Sequence, residues 1–357
     1  MAEKKHYDNI DGLRTIAAIM IVLMHVMANI DYILPNNPIT TLIAASGNFV
    51  QLFFLISGFG LCCGYYERVK NNNISINDFF KKRYIKILPY FTLLVLIDVA
   101  VSLVFSRGNF TNSLIEAFSD LTLFFGFFPN ANIEVIGVGW TLGVIFAFYC
   151  LFPFFVFLLW TKKRVWLVLI LSIGVYYVCT YYFTVNGFAI RCNVARWLCY
   201  FIAGGIIYLY REEIERLLNF KKWIRWIVLP ILVGLTVAWF FIPNKIGTVP
   251  IELFKTIIMF SLWLMYAISY KSVVLANPVT KFMSNISFEI YLAHMLIFRV
   301  VEKLKLTHIF SSNVLSYIFV ALVVLVLVIG FAFVAKYLIN KVEQFIKNKM
   351  ASKKEVD

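Results

Sequence analysis

The stretch Val314-Leu-Ser-Tyr-Ile-Phe-Val-Ala-Leu-Val-Val-Leu-Val-Leu-Val-Ile-Gly-Phe-Ala-Phe-Val-Ala335 contains no charged side chain. It is longer than the roughly 18 to 20 apolar residues a helix needs to cross a bilayer. Comparable runs recur from end to end, and they predict spans at about 13–33, 42–66, 84–106, 137–160, 165–184, 196–210, 226–242, 251–269, 286–301 and 312–338. The expected fold is all-α: a polytopic membrane helical bundle of about ten transmembrane helices. It forms one domain over 1–357 and closes in a basic cytoplasmic tail at 340–357. Composition agrees, since 61% of the residues are hydrophobic and 15% charged, with a mean hydropathy of +0.83. Soluble domains run near half apolar and a quarter charged, so this excess cannot be hidden in a soluble core. The polar lead Met1 to Asn9 is followed by no small-residue cleavage pattern, so the first helix is expected to remain.

The formal charge of +14 does not signal nucleic acid, because the Lys and Arg residues lie in short clusters between apolar runs. The clusters are Lys4 and Lys5; Arg68 to Lys86; Lys162 to Arg164; Arg211 to Arg225; Lys271 and Lys281; and Lys336 to Lys349. With ten crossings and both termini cytoplasmic, every cluster falls on one side. The run Leu114 to Phe128 would break that order if it crossed, so it is expected to be a re-entrant or interfacial segment on the outer side. The six cysteines sit in or near apolar segments without metal-ligand spacing and are read as small apolar residues. Neither a metal nor a tightly bound cofactor is expected.

Polar residues inside the apolar runs carry the functional signal, because an ionisable side chain in hydrocarbon is costly. Asp11-Gly12-Leu13-Arg14 opens the first span, and His25 follows eleven residues after Arg14. That spacing sets Arg14 and His25 on one helix face, about 16 Å apart, with Asp11 near the same face. A neutral imidazole is the form a general base needs, although a histidine that merely bonds a neighbouring helix has the same pattern. Lys82, Arg83 and Lys86 crowd a juxtamembrane turn before Pro89. They suit topology and also suit a phosphorylated donor. Ser57, between Ile56 and Gly58, fits close helix packing better than nucleophilic attack.

Trp140 and the pair Phe148-Tyr149 in the fourth span are expected on the outer side, as interface anchors or a stacking floor for a sugar. Arg196 opens the sixth span and either meets an acceptor or snorkels. In the ninth span, Ser284 or Ser287 is expected to cap the helix and Glu289 to favour its dipole, leaving His294 within the apolar run. Asp98 and Lys255 are further candidates for buried charge, whereas His6 and His308 are expected in solvent.

These motifs, in this order and across nearly the whole chain, resemble the acyltransferase-3 integral membrane proteins, which O-acylate surface sugars, peptidoglycan and antibiotics. The match comprises Asp11-Gly12-Leu13-Arg14 with His25, Phe53 to Phe59 with Lys82, Arg83, Lys86 and Pro89, Trp140-Thr141-Leu142 with Phe148-Tyr149, and Ile286 to His294. Two positions depart from the family pattern: Ile145 replaces a frequent glutamate, and Lys86 replaces a frequent arginine. The resemblance implies a cell-membrane O-acyltransferase that takes an acyl group, expected to be acetyl, from cytoplasmic acyl-CoA to a hydroxyl of a cell-envelope carbohydrate or glycolipid. It implies catalytic roles for His25, Arg14 and Asp11, donor binding by Arg14, Lys82, Arg83 and Lys86, and acceptor binding by Trp140, Tyr149, Arg196 and His294. His25 stands as either a base or an acyl carrier. A sugar exporter and an inactive scaffold of a glycan assembly complex are the alternatives from other functional classes.

Overall fold

A computed structural model describes residues 6–104, 110–127, 137–188, 191–220, 223–246 and 249–354. Helices dominate: α1 (Asn9–Asn29), α2 (Pro38–Ala45), α3 (Phe49–Lys70), α4 (Ile76–Val104), α5 (Phe110–Thr122), α6 (Trp140–Leu158) and α7 (Lys162–Val185). They continue through α8 (Val194–Leu209), α9 (Arg211–Leu218), α10 (Ile224–Phe241), α11 (Glu252–Ser269), α12 (Pro278–Lys303) and α13 (Asn313–Lys354). A two-residue antiparallel pair, Lys245–Ile246 with Val249–Pro250, closes the turn between α10 and α11. Each of the ten expected spans falls on a helix, with some ends running past it, as 30–33 runs past α1 and 137–139 precedes α6. Seven stretches are long and apolar enough to cross a membrane: α1, α2 joined to α3, α4, α6, α7, α11 and α13. The apolar helices α8 and α10 are shorter, and α12 is long but interrupted by polar side chains. The chain is therefore a multi-pass membrane protein. Residues 105–106, Phe128, Lys4, Lys5, Lys221 and Lys222 lie outside the described residues.

The basic clusters converge on one end of the bundle, as expected from their spacing. Lys162, after α6, pairs with Glu213 of α9, and Lys70 stands over the ring of Trp160 at 5.3 Å. Tyr7 reaches Glu215 at 3.4 Å, and Asn9 accepts from the backbone N–H of Ser272 at 3.1 Å. The opposite end holds the Asp31–His308 pair at 2.7 Å and the bond from Asn313 to the Ile33 carbonyl at 3.1 Å.

Glycines set the closest helix contacts, because lipid supplies no hydrophobic drive and close van der Waals approach must hold helices together. A Cβ on Gly58 of α3 would lie 2.3 Å from the Phe201 oxygen, and one on Gly204 of α8 would lie 2.1 Å from the Leu55 oxygen. The backbones of α3 and α8 therefore touch, as the Ser57-Gly58 reading anticipated. Gly126 and Gly143 do the same for the segment after α5, which packs on the start of α6 with Leu123 and Phe125 buried. Outward side chains such as Phe154, Ile170, Val178 and Val326 are exposed, as lipid-facing residues are.

One helix start departs from expectation. Asn277 caps α12 and forms a reciprocal capping box with Thr280, with Pro278 at the first helical position. Ser284, Ser287 and Glu289 consequently lie inside the helix. Glu289 is three turns from the N-terminus, beyond the reach of the helix dipole.

Candidate functional site

At the end where the basic clusters gather, α1, α3, α4, α6, α12 and α13 enclose a cavity of about 600 Å³. Its wall combines Arg14, Lys82, Lys86, Lys281 and Lys336 with Asp11, Glu289 and Glu343. Cations outnumber carboxylates, which favours an anionic ligand. Asp11 is held by the Ser284 hydroxyl, which donates to Oδ1 at 2.7 Å, and by His6 at 3.4 Å. Gly12 lets the start of α1 lie against Leu275, whose oxygen would be 2.4 Å from any Cβ there. These contacts keep α1 and α12 side by side and parallel.

That parallel arrangement brings two distant histidines together. The rings of His25 and His294 are 4.8 Å apart, centroid to centroid. His294 is fully buried, and His25 half-buried. His25 Nδ1 lies 3.0 Å from the Ile21 carbonyl, and His294 Nδ1 lies 2.6 Å from the Tyr291 carbonyl. A carbonyl only accepts, so the proton is assigned to each Nδ1, and a ring in its neutral form then presents an Nε2 lone pair. His294 Nε2 has no hydrogen-bond partner. An uncharged imidazole with a bare Nε2 is equipped to take a proton from a hydroxyl. Neither histidine is among the lining residues; Tyr291 and Phe53 are, with their rings 5.9 Å apart, and the Tyr291 ring is also 5.9 Å from that of His294.

The remaining predicted residues separate into groups. Lys82 and Lys86 line the cavity with Arg14. Arg83 lies beside the wall, donating to the Tyr65 hydroxyl at 2.6 Å and standing over the Tyr65 ring at 4.5 Å. Tyr149 is displaced from the outer position expected of it. It lines the cavity and has the Arg83 guanidinium 5.8 Å from its ring. It sits nine residues below Trp140, more than two helical turns towards the basic end. Trp140 does lie at the other end of α6, where its ring is 5.8 Å from that of Trp197 and 6.0 Å from that of Phe54. Arg196 stacks on Trp197 at 4.5 Å and donates to Thr180 and Tyr176, so it ties α8 to α7 outside the cavity. Lys255 snorkels to the Ile242 carbonyl at 2.7 Å and to Asn244 at 2.8 Å, also away from the cavity.

Several residues in or near the site were read from the sequence as something else. Lys336 and Lys281 had only a topological role there, yet both line the cavity. Residues 340 and 343 belong to the expected cytoplasmic tail, but α13 runs on unbroken and carries Asn340 and Glu343 into the wall. Arg191, before α8, lies within electrostatic range of His25. Among the described residues, no group of three or more His, Cys, Asp or Glu side chains is placed to hold a metal.

The candidate site is thus a cation-lined cavity within the helical bundle, with Tyr291 of its wall one helical turn from His294 of the histidine pair. The chain belongs to the acyltransferase-3 family: the family's acyltransferase domain matches residues 7–335, nearly the whole chain. It is thus a membrane acyltransferase. No curated protein and no solved structure matches it.

Proposed function

We propose that the protein transfers an acyl group, most simply acetyl, from cytoplasmic acyl-CoA to a hydroxyl of a cell-envelope carbohydrate or glycolipid. The observation that carries this reading is the cavity itself, lined by cations and reaching Tyr291, one helical turn from His294 of the paired imidazoles. Phosphates of the donor meet Arg14, Lys82 and Lys86, and Lys and Arg are the natural partners of phosphate oxygens. The rise from Arg14 to His25, about 16 Å, matches an uncharged arm threading from the mouth to the histidines. The basic clusters support a mouth on the cytoplasmic side of a cell membrane, with both termini on that side.

In the reaction, His25 Nε2 accepts the hydroxyl proton while the acceptor oxygen attacks the thioester carbon. The carbon–sulfur bond breaks, and the departing CoA sulfur takes up the proton from the imidazolium. His294 packs against His25 and fixes its ring. Trp140, beyond the pair, suits stacking on a sugar. The donor is a cosubstrate, and the chain needs no resident cofactor for these steps.

Purified protein in detergent, given acetyl-CoA and cell-envelope extract, is expected to release free CoA. Release should depend on the extract and be lost in His25→Ala. Undiminished release by that variant would remove His25 from the chemistry. Sugar movement without thiol release would point to an exporter, and a stable complex without either would point to a scaffold.

A further inference from the structure

Glu289 is a cavity residue to which the chemistry above gives no part. It is only 6% exposed. One carboxylate oxygen pairs with Lys336 Nζ at 2.9 Å, and the same ammonium also donates to the Asn285 carbonyl. The other oxygen, Oε2, is buried and has no hydrogen-bond partner. Tying α12 to α13 requires only the first oxygen. A buried acceptor left unpaired is costly, so Oε2 belongs to a site that a ligand donor completes. Its position decides which part of the ligand that is. Glu289 stands between Ser284, level with Asp11 near the mouth, and His294, which lies five residues further along α12. At that depth a phosphorylated donor presents its uncharged arm, whose hydrogen-bond donors are amide N–H groups and a hydroxyl.

We propose that Glu289, held by Lys336, accepts a hydrogen bond from an amide N–H of the acyl donor's pantetheine arm. It thereby makes the chain selective for the arm as well as for the phosphates. This rests on the acyl-CoA reading above. Asn285 and Lys336 fix the carboxylate, so its orientation is set before the donor arrives and little is lost on binding.

The test measures equilibrium binding of CoA to the purified full-length chain, alongside two CoA analogues in which one or the other pantetheine amide is replaced by an ester. Wild type is expected to bind one ester analogue about tenfold more weakly than CoA, the effect of one hydrogen bond to a charged acceptor. Glu289→Gln, and the double variant Glu289→Met with Lys336→Met, should bind CoA about tenfold more weakly and lose less than about twofold on ester replacement. The double variant leaves no unpaired charge and guards against misfolding. Equal binding of CoA and both analogues by wild type, or full discrimination retained in both variants, overturns the proposal. Should Lys82→Ala weaken CoA binding while the Glu289 variants do not, the donor reading stands and this inference fails. If wild type binds no CoA, both fail.

Discussion

Replacing Gly204 by alanine tests how the fold holds the cavity open. The added Cβ would lie 2.1 Å from the Leu55 oxygen and 2.7 Å from the Phe59 nitrogen, both backbone atoms that no rotamer change can move. Ordinary contact begins at 3.4 Å, so α3 and α8 must part by 3.4 − 2.1, or 1.3 Å, along that line. A radial gap of about 0.5 to 1 Å already forfeits a quarter to a half of each dispersion contact. The Phe54–Phe201 contact, at 5.3 Å, sits on this seam, and Phe201 also stacks on Phe148 of α6 at 3.9 Å. The cost should therefore reach the upper part of the overpacking range, about 3 kcal/mol. Because α3 also carries Val50, Phe53 and Ser57 in the cavity wall, donor binding should weaken together with stability. The control is Gly60→Ala on the same helix, where nothing lies within 4 Å of the new Cβ. There the change should stay within about 0.5 kcal/mol, offset further by alanine's helix propensity. Chemical or thermal unfolding in detergent, with CoA binding measured on the same samples, gives both readouts. Equal behaviour of the two variants would refute the claim that backbone contact through Gly204 sets the α3–α8 distance.

Three further outcomes are expected. His25→Gln should lower acyl transfer by about 10²- to 10⁴-fold, the usual worth of a general base, with KM for the donor little changed; in steady-state assays His294→Gln should lose less, as a positioning residue does. Lys82→Ala and Lys86→Ala should each raise KM for acyl-CoA about three- to tenfold at low salt and leave kcat intact, and the difference from wild type should shrink as ionic strength rises, because both side chains are exposed. Lys162 holds the Glu213 carboxyl below the usual carboxylate range by donating a hydrogen bond to it. A depressed carboxylate stabilises the folded state above its unfolded pKa and loses that effect as pH falls through the lowered value. Melting temperatures of wild type and Lys162→Met should thus differ at pH 7 and converge as pH falls below the usual carboxylate range.

What could be read along the chain was whatever is local. Each of the ten apolar runs fell on a helix, because a bilayer demands a continuous length of hydrocarbon-compatible helix regardless of its neighbours. Basic clusters predicted which loops share an end, and Lys162 with Glu213, Tyr7 with Glu215 and Asn9 with Ser272 show those loops meeting. His25 and His294 stood out singly, since an imidazole within an apolar run is conspicuous wherever its helix packs. Their meeting at 4.8 Å was not legible, for it depends on α1 and α12 running parallel in one register, and that register is set by Asp11 on Ser284 and Gly12 on Leu275. Tyr149 was placed at the wrong end because an aromatic near an apolar run suits either interface, and only the guanidinium of Arg83 beside it distinguishes them. Glu289 and Lys336 each had an adequate local explanation, a helix dipole and a topology signal. Only the approach of α13 to α12 turned them into a buried pair in the cavity wall, because an ion pair between distant segments exists in space and leaves no spacing in the chain.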